Sequence, residues 1–214
     1  MSIVIRSLSD QLVELVRDRI LSGEVSPDQP IRQDALAAEL GVSKIPLREA
    51  LTRLEQEGLI RSQANRGFFV RPMDTDEAEE VYALRLNLEP ALTAQAALIA
   101  GDDQRRRAED LMGALIAETV ARGGRVGALN RAFHVALFAP AGKPVTATIL
   151  ERLHVLSERY VRKTLESDER NARANIEHRQ MLDAWLARDR EAVVTLVHAH
   201  IDDTLTDLRS RLHP

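Results

Sequence analysis

Only two stretches of this 214-residue chain read as strands, and no other feature constrains the fold as much. Leu59-Ile60-Arg61-Ser62-Gln63 and Gly67-Phe68-Phe69-Val70-Arg71 are short extended runs. Ala64-Asn65-Arg66-Gly67 joins them with residue types that suit a tight turn. Elsewhere apolar residues recur at helical spacing. Aromatics are only 3% of the chain, while Leu and Ala are frequent, which also favours helices. The fold class is therefore mainly α with one hairpin.

Three helices are predicted before the hairpin. The first covers 9–22, with Leu12, Val13, Val16 and Ile20 on one face, Ser9 as its cap and Gly23 at its end. After the Pro27–Pro30 loop, a second covers 32–40 with Leu36, Ala37 and Leu40 inward, and Gly41 ends it. Ser43 is placed to cap a third, which runs to about Glu57. Pro46 sits in its first turn, where a missing N–H does no harm, and Leu47, Leu51 and Leu54 share one face. Three helices and a hairpin make a winged helix-turn-helix, assigned to residues 1–72. Helical patterns then continue at about 75–99, 103–121, 126–138, 145–164, 169–187 and 190–211, an all-helical bundle over 75–214.

The net charge of −4 is unlike that of a typical nucleic-acid binder, but the charge is unevenly spread. Residues 43–71 hold six cations (Lys44, Arg48, Arg53, Arg61, Arg66, Arg71) and three anions (Glu49, Glu55, Glu57). In a helix-turn-helix the second helix of the pair enters the major groove by its N-terminal end. That assigns Ser43, Lys44, Ile45 and Arg48 to double-stranded DNA, and Asn65, Arg66 and Gly67 to the wing tip. An amphipathic helix with ordinary surface cations is the competing reading.

Cysteine is absent, which excludes a disulfide frame, a thiolate nucleophile and a zinc finger. The N-terminal apolar run is too short for a signal peptide and no stretch is long enough to span a membrane, so a cytoplasmic protein is expected. Of six histidines, His134, His178 and His200 fall on inward faces of three bundle helices, and Asn130 precedes His134 by one turn. Three such imidazoles can hold a divalent metal with positions left open for a ligand. A single inward histidine is more often a hydrogen-bonded core residue, and His198 competes with His200 for the inward place, so spacing leaves both readings open. His154 and His213 receive no role.

The segments ILSGEVSP, LAAELGVSKIPLREALTRLEQEGLI and NRGFFV together resemble the DNA-binding domain of GntR-family transcription regulators over about 20–71. Tyr82-Ala-Leu-Arg85-Leu-Asn-Leu-Glu89, Asn130-Arg-Ala-Phe-His134, Glu177-His178-Arg179 and His200-Ile201 resemble the FCD ligand-binding domain of the FadR-type branch, in its six-helix VanR-like form. That resemblance implies a metal held by His134, His178 and His200, with Asn130 where the family usually has Asp. Zinc or nickel suits the set best. It also implies that Arg85 meets the carboxylate of a small organic acid, against the alternative of a salt bridge to Glu89.

The implied function is a homodimeric, effector-responsive repressor on a pseudo-palindromic operator, and not an enzyme. Two alternatives remain: a helical metalloenzyme with a three-histidine centre, and a DNA-binding dimer without an effector. Against the first, Glu177 points about 100° away from His178 and supplies no paired base there.

Overall fold

The computed structural model describes residues 7–27, 29–72, 74–164 and 167–212. The first six residues, the loop position Asp28 and His213 lie outside them. The chain divides into two compact units, 1–73 and 74–214.

In the first unit, helix α1 (Leu8–Leu21) precedes α2 (Gln33–Glu39) and α3 (Lys44–Gln56). The N-cap of α1 is Ser7, not Ser9: Ser7 and Asp10 exchange hydrogen bonds in a capping box. Ser9 lies inside the helix and its hydroxyl donates to Glu49 at 2.7 Å. Arg17 is buried and donates to both carboxylate oxygens of Glu57, clamping α1 to the end of α3. Leu47, Leu51 and Leu54 are fully buried against Val13, Val16 and Ile20 of the same core. Ser43 has the extended backbone of an N-cap, but its side chain makes no capping bond among the described residues.

Strands β1 (Ile60–Gln63) and β2 (Gly67–Val70) pair antiparallel, Ile60 opposite Val70. Asn65 and Gly67 take positive φ at the tip, a conformation both residue types tolerate. A third strand segment, not foreseen, adds to β2: Pro30 bridges Phe69, and the Ile31 amide donates to the Phe68 carbonyl at 2.8 Å. On the other side the Ser62 amide donates to Glu55 Oε1 at 2.6 Å.

The second unit holds six helices among its described residues: α4 (Thr75–Ile99), α5 (Asp102–Val120), α6 (Val126–Phe138), α7 (Pro144–Thr164), α8 (Asp168–Leu186) and α9 (Arg190–Leu212). A short 3-10 turn, Ala139–Ala141, follows α6 and ends at Gly142 in the left-handed region. Helix α4 lies along α9 and also packs on α6 and α7. Tyr82, Phe133, Phe138, Leu150, Met181 and Trp185 fill the space between. Trp185 is a core residue, donating its indole N–H to the Leu137 carbonyl at 3.0 Å. No described helix is long and apolar enough to cross a membrane.

Candidate functional site

Four histidines and two carboxylates meet inside the bundle. His134 on α6, His178 on α8 and His200 on α9 each present a ring nitrogen, and the three atoms lie within 4.8 Å of one another. All three rings are buried, whereas His198 is exposed, which settles the phase of α9. His178 Nε2 and His200 Nε2 are 3.3 Å apart. His134 Nε2 has no hydrogen-bond partner among the described residues, an expensive arrangement for a buried polar atom unless a ligand completes it.

Two acidic residues hold the outer nitrogens. Glu177 Oε2 lies 2.7 Å from His200 Nδ1, and Glu89 Oε1 lies 3.1 Å from His134 Nδ1. Glu177 does leave α8 on a different face from His178, but that face looks toward α9. Carboxylates behind histidines fix the tautomer and raise the basicity of the other nitrogen, the usual support for a metal ligand. Burial holds His134 down at about 3, and burial drives His178 well below the ordinary imidazole range, so both rings are neutral at pH 7. Neutral, converging imidazoles with an unpartnered nitrogen are a donor set that fits a borderline divalent ion.

A second convergence joins Glu89, His134 and His154. His154 Nε2 is 3.1 Å from Glu89 Oε1, off the hydrogen-bond direction. This group fits a cation poorly, because Arg85 Nε already donates to Glu89 Oε2 at 2.8 Å. Burial opposes the charge on Glu89, yet Arg85 and the two histidines hold its carboxyl well below the usual range. Arg85 is thus in the buried salt bridge anticipated as the alternative, and its Nη1 also donates to Ser157 Oγ at 3.1 Å.

Arg85, Asn130, Arg170 and the three histidines also line one partly enclosed cavity whose free space is about 20 Å³, room for an ion or a water. Arg170 was not singled out by sequence. It is buried on α8, donates to Thr204 Oγ1 at 2.8 Å and contacts Glu177 and Asp207. Its signal was available, since it lies two turns before Glu177 on the same helix.

The residues assigned to DNA occupy a separate surface. Ser43, Lys44, Ile45 and Arg48 are all exposed at the start of α3. Lys44 is ion-paired with Asp34 of α2, and Ile45 is 73% exposed. Asn65 and Arg66 are exposed at the hairpin tip, Gly67 is half-buried, and the Arg66 guanidinium lies 5.3 Å from the centre of the Phe69 ring.

Residues 8–70 match the family of bacterial regulatory proteins of the gntR type, and 80–203 match the FCD domain. The Nta operon transcriptional regulator of Aminobacter aminovorans is 30% identical over 188 residues, covering 86% of this chain and 88% of that protein. The HTH-type transcriptional repressor GlaR of Escherichia coli is 28% identical over 197 residues, with coverage of 87% and 89%. Among solved structures, McbR/YncC of E. coli superposes with a TM-score of 0.84 over 98% of this chain and 100% of that one, at 20% identity, a likeness of fold. The chain therefore belongs to the GntR family of bacterial regulatory proteins, as a DNA-binding transcriptional regulator with a helical FCD domain.

Proposed function

We propose that this regulator is a cytoplasmic homodimeric repressor whose bundle senses a small organic acid through a metal held by His134, His178 and His200. The unpartnered, buried Nε2 of His134 beside two further imidazoles is the observation that carries the reading. Asn130, one turn before His134 and lining the same cavity, offers a neutral amide oxygen as a fourth donor. A bound zinc or nickel ion would supply an open coordination position for a carboxylate. Arg85, on the wall of that cavity, would orient the acid. The repressor assignment draws on GlaR, which bears that name.

At the DNA, Ser43, Lys44, Ile45 and Arg48 would enter the major groove, and Asn65, Arg66 and Gly67 would follow the backbone or minor groove. Two such units on a dimer match a pseudo-palindromic operator. The effector needs only to favour one arrangement of the dimer: a coupling of about 1–3 kcal/mol changes DNA affinity about 5–150-fold.

Elemental analysis of the purified protein beside the His134→Ala/His178→Ala variant tests the centre. About one metal per chain, lost in the variant, is expected. No metal in either protein removes the metal from the proposal.

A further inference from the structure

We propose that Glu89 is a positioning residue that aims the lone pair of His134 into the cavity and makes the metal affinity of the three-histidine set depend on Arg85. The proposal rests on the metal reading given above. One buried carboxylate, 1% exposed, serves both sides of the cavity. Its Oε1 stands 3.1 Å from His134 Nδ1, and its Oε2 accepts from Arg85 Nε at 2.8 Å. Both His134 and Arg85 line the cavity. Glu89 itself does not, so it acts through them.

The chemistry follows from how one negative charge is shared. A neutral imidazole carries a single N–H. A carboxylate at Nδ1 holds that proton there, which leaves the lone pair on Nε2, the atom without a partner. A cation on Nε2 makes the Nδ1–H a stronger donor and draws more of the Glu89 charge toward His134. Arg85 is then less neutralised and more available to an anion. The reverse holds as well: an anion that takes up the Arg85 charge leaves Glu89 freer to support His134. Metal and anion therefore assist each other through Glu89, by the same factor in either direction.

The test uses nickel as the only added ligand, in competition with a chelator, on the full chain. Glu89→Gln keeps the shape and removes the charge, and is expected to weaken nickel binding about 10–100-fold. Arg85→Gln is expected to strengthen binding several-fold in the wild-type background and to have no effect in the Glu89→Gln background. An equal effect of Arg85→Gln in both backgrounds would show direct charge repulsion and overturn the coupling. Unchanged nickel affinity in Glu89→Gln with a lowered melting temperature would reduce Glu89 to a structural role. Since either variant leaves a buried charge exposed to poor company, the wild type provides an independent reading. Imidazole nitrogen shifts of the metal-free protein should place the His134 proton on Nδ1; a proton on Nε2 refutes the proposal without any substitution. A wild type with no nickel affinity at all overturns both this inference and the metal reading, whereas metal binding with an Nε2–H His134 overturns this one alone.

Discussion

Replacing His178 by leucine separates two roles that one side chain holds. In the metal-free protein His178 is a liability: it is 3% exposed, its Nδ1 has no partner among the described residues, and the Phe133 ring centre lies 5.3 Å from its own. A buried polar atom without a partner costs about 1–3 kcal/mol. Leucine is close in size, so repacking costs less than about 1.5 kcal/mol. Against this gain, the 3.3 Å contact of His178 Nε2 with His200 Nε2 is lost, so the metal-free variant should stay within about 1 kcal/mol of wild type, roughly 4 °C for a unit of this length. With free nickel at about 100 times its Kd, wild type gains about 2.7 kcal/mol, roughly 10 °C. The variant, short of one imidazole, should gain only a small part of that. Thermal unfolding followed by circular dichroism, once with chelator and once with buffered nickel, reads both effects. A variant several degrees less stable in chelator and just as responsive to nickel would refute the reasoning, because His178 would then be a satisfied core residue.

Three other outcomes are expected. Lys44→Ala and Arg48→Ala should each weaken binding to the regulator's promoter DNA, while Arg66→Ala should lower the slope of log affinity against log salt by about 1, measured by fluorescence anisotropy. Acid should destabilise the metal-free protein: His134 takes its proton near pH 3 when folded and near 6.5 when unfolded, so the unfolded chain binds more protons between those values. Stability is then complete above about pH 6.5 and lost as pH falls toward 3, which urea midpoints at a series of pH values would show; a flat profile counts against a buried neutral ring. Gly127→Ala should leave stability within about 1 kcal/mol of wild type, because the loss from pushing Glu158 off Arg131 (Cβ would stand 2.6 Å from Glu158 Oε1) is offset by alanine's helix propensity of about 1 kcal/mol within α6; melting temperature checks it.

Helix phase was the most legible part of the sequence. Leu47, Leu51 and Leu54 repeat at a spacing that only a helix turns to one side, and His200 rather than His198 falls in step with Val197 and Ile201. Helix ends were less so: Ser7 and Ser9 are both competent caps, and Asp10, three residues after Ser7, was the signal that decides between them. The polar partners behind the histidines were least legible. Glu89 reads as an i+4 partner of Arg85, which it is, but its contacts with His134 and His154 come from α6 and α7. His154 stands four residues after the buried Leu150 and so carries the same inward signal as the other three rings. Spacing along one helix cannot say which partners a neighbouring helix supplies.

The hairpin of the first unit has a consequence for solution behaviour. A two-stranded sheet has two open edges, and each offers unpaired amides on which another chain can build. Among the described residues each edge carries a partner. On the β2 side the Pro30–Ile31 segment occupies the ladder, and Pro30, without an N–H, cannot pass the pairing on to a further strand. On the β1 side the Glu55 carboxylate takes the Ser62 amide and sets a negative charge at the rim. Glu55 does this from within a segment of net positive charge: neutralising it would free the Ser62 amide on the one strand edge that no backbone covers.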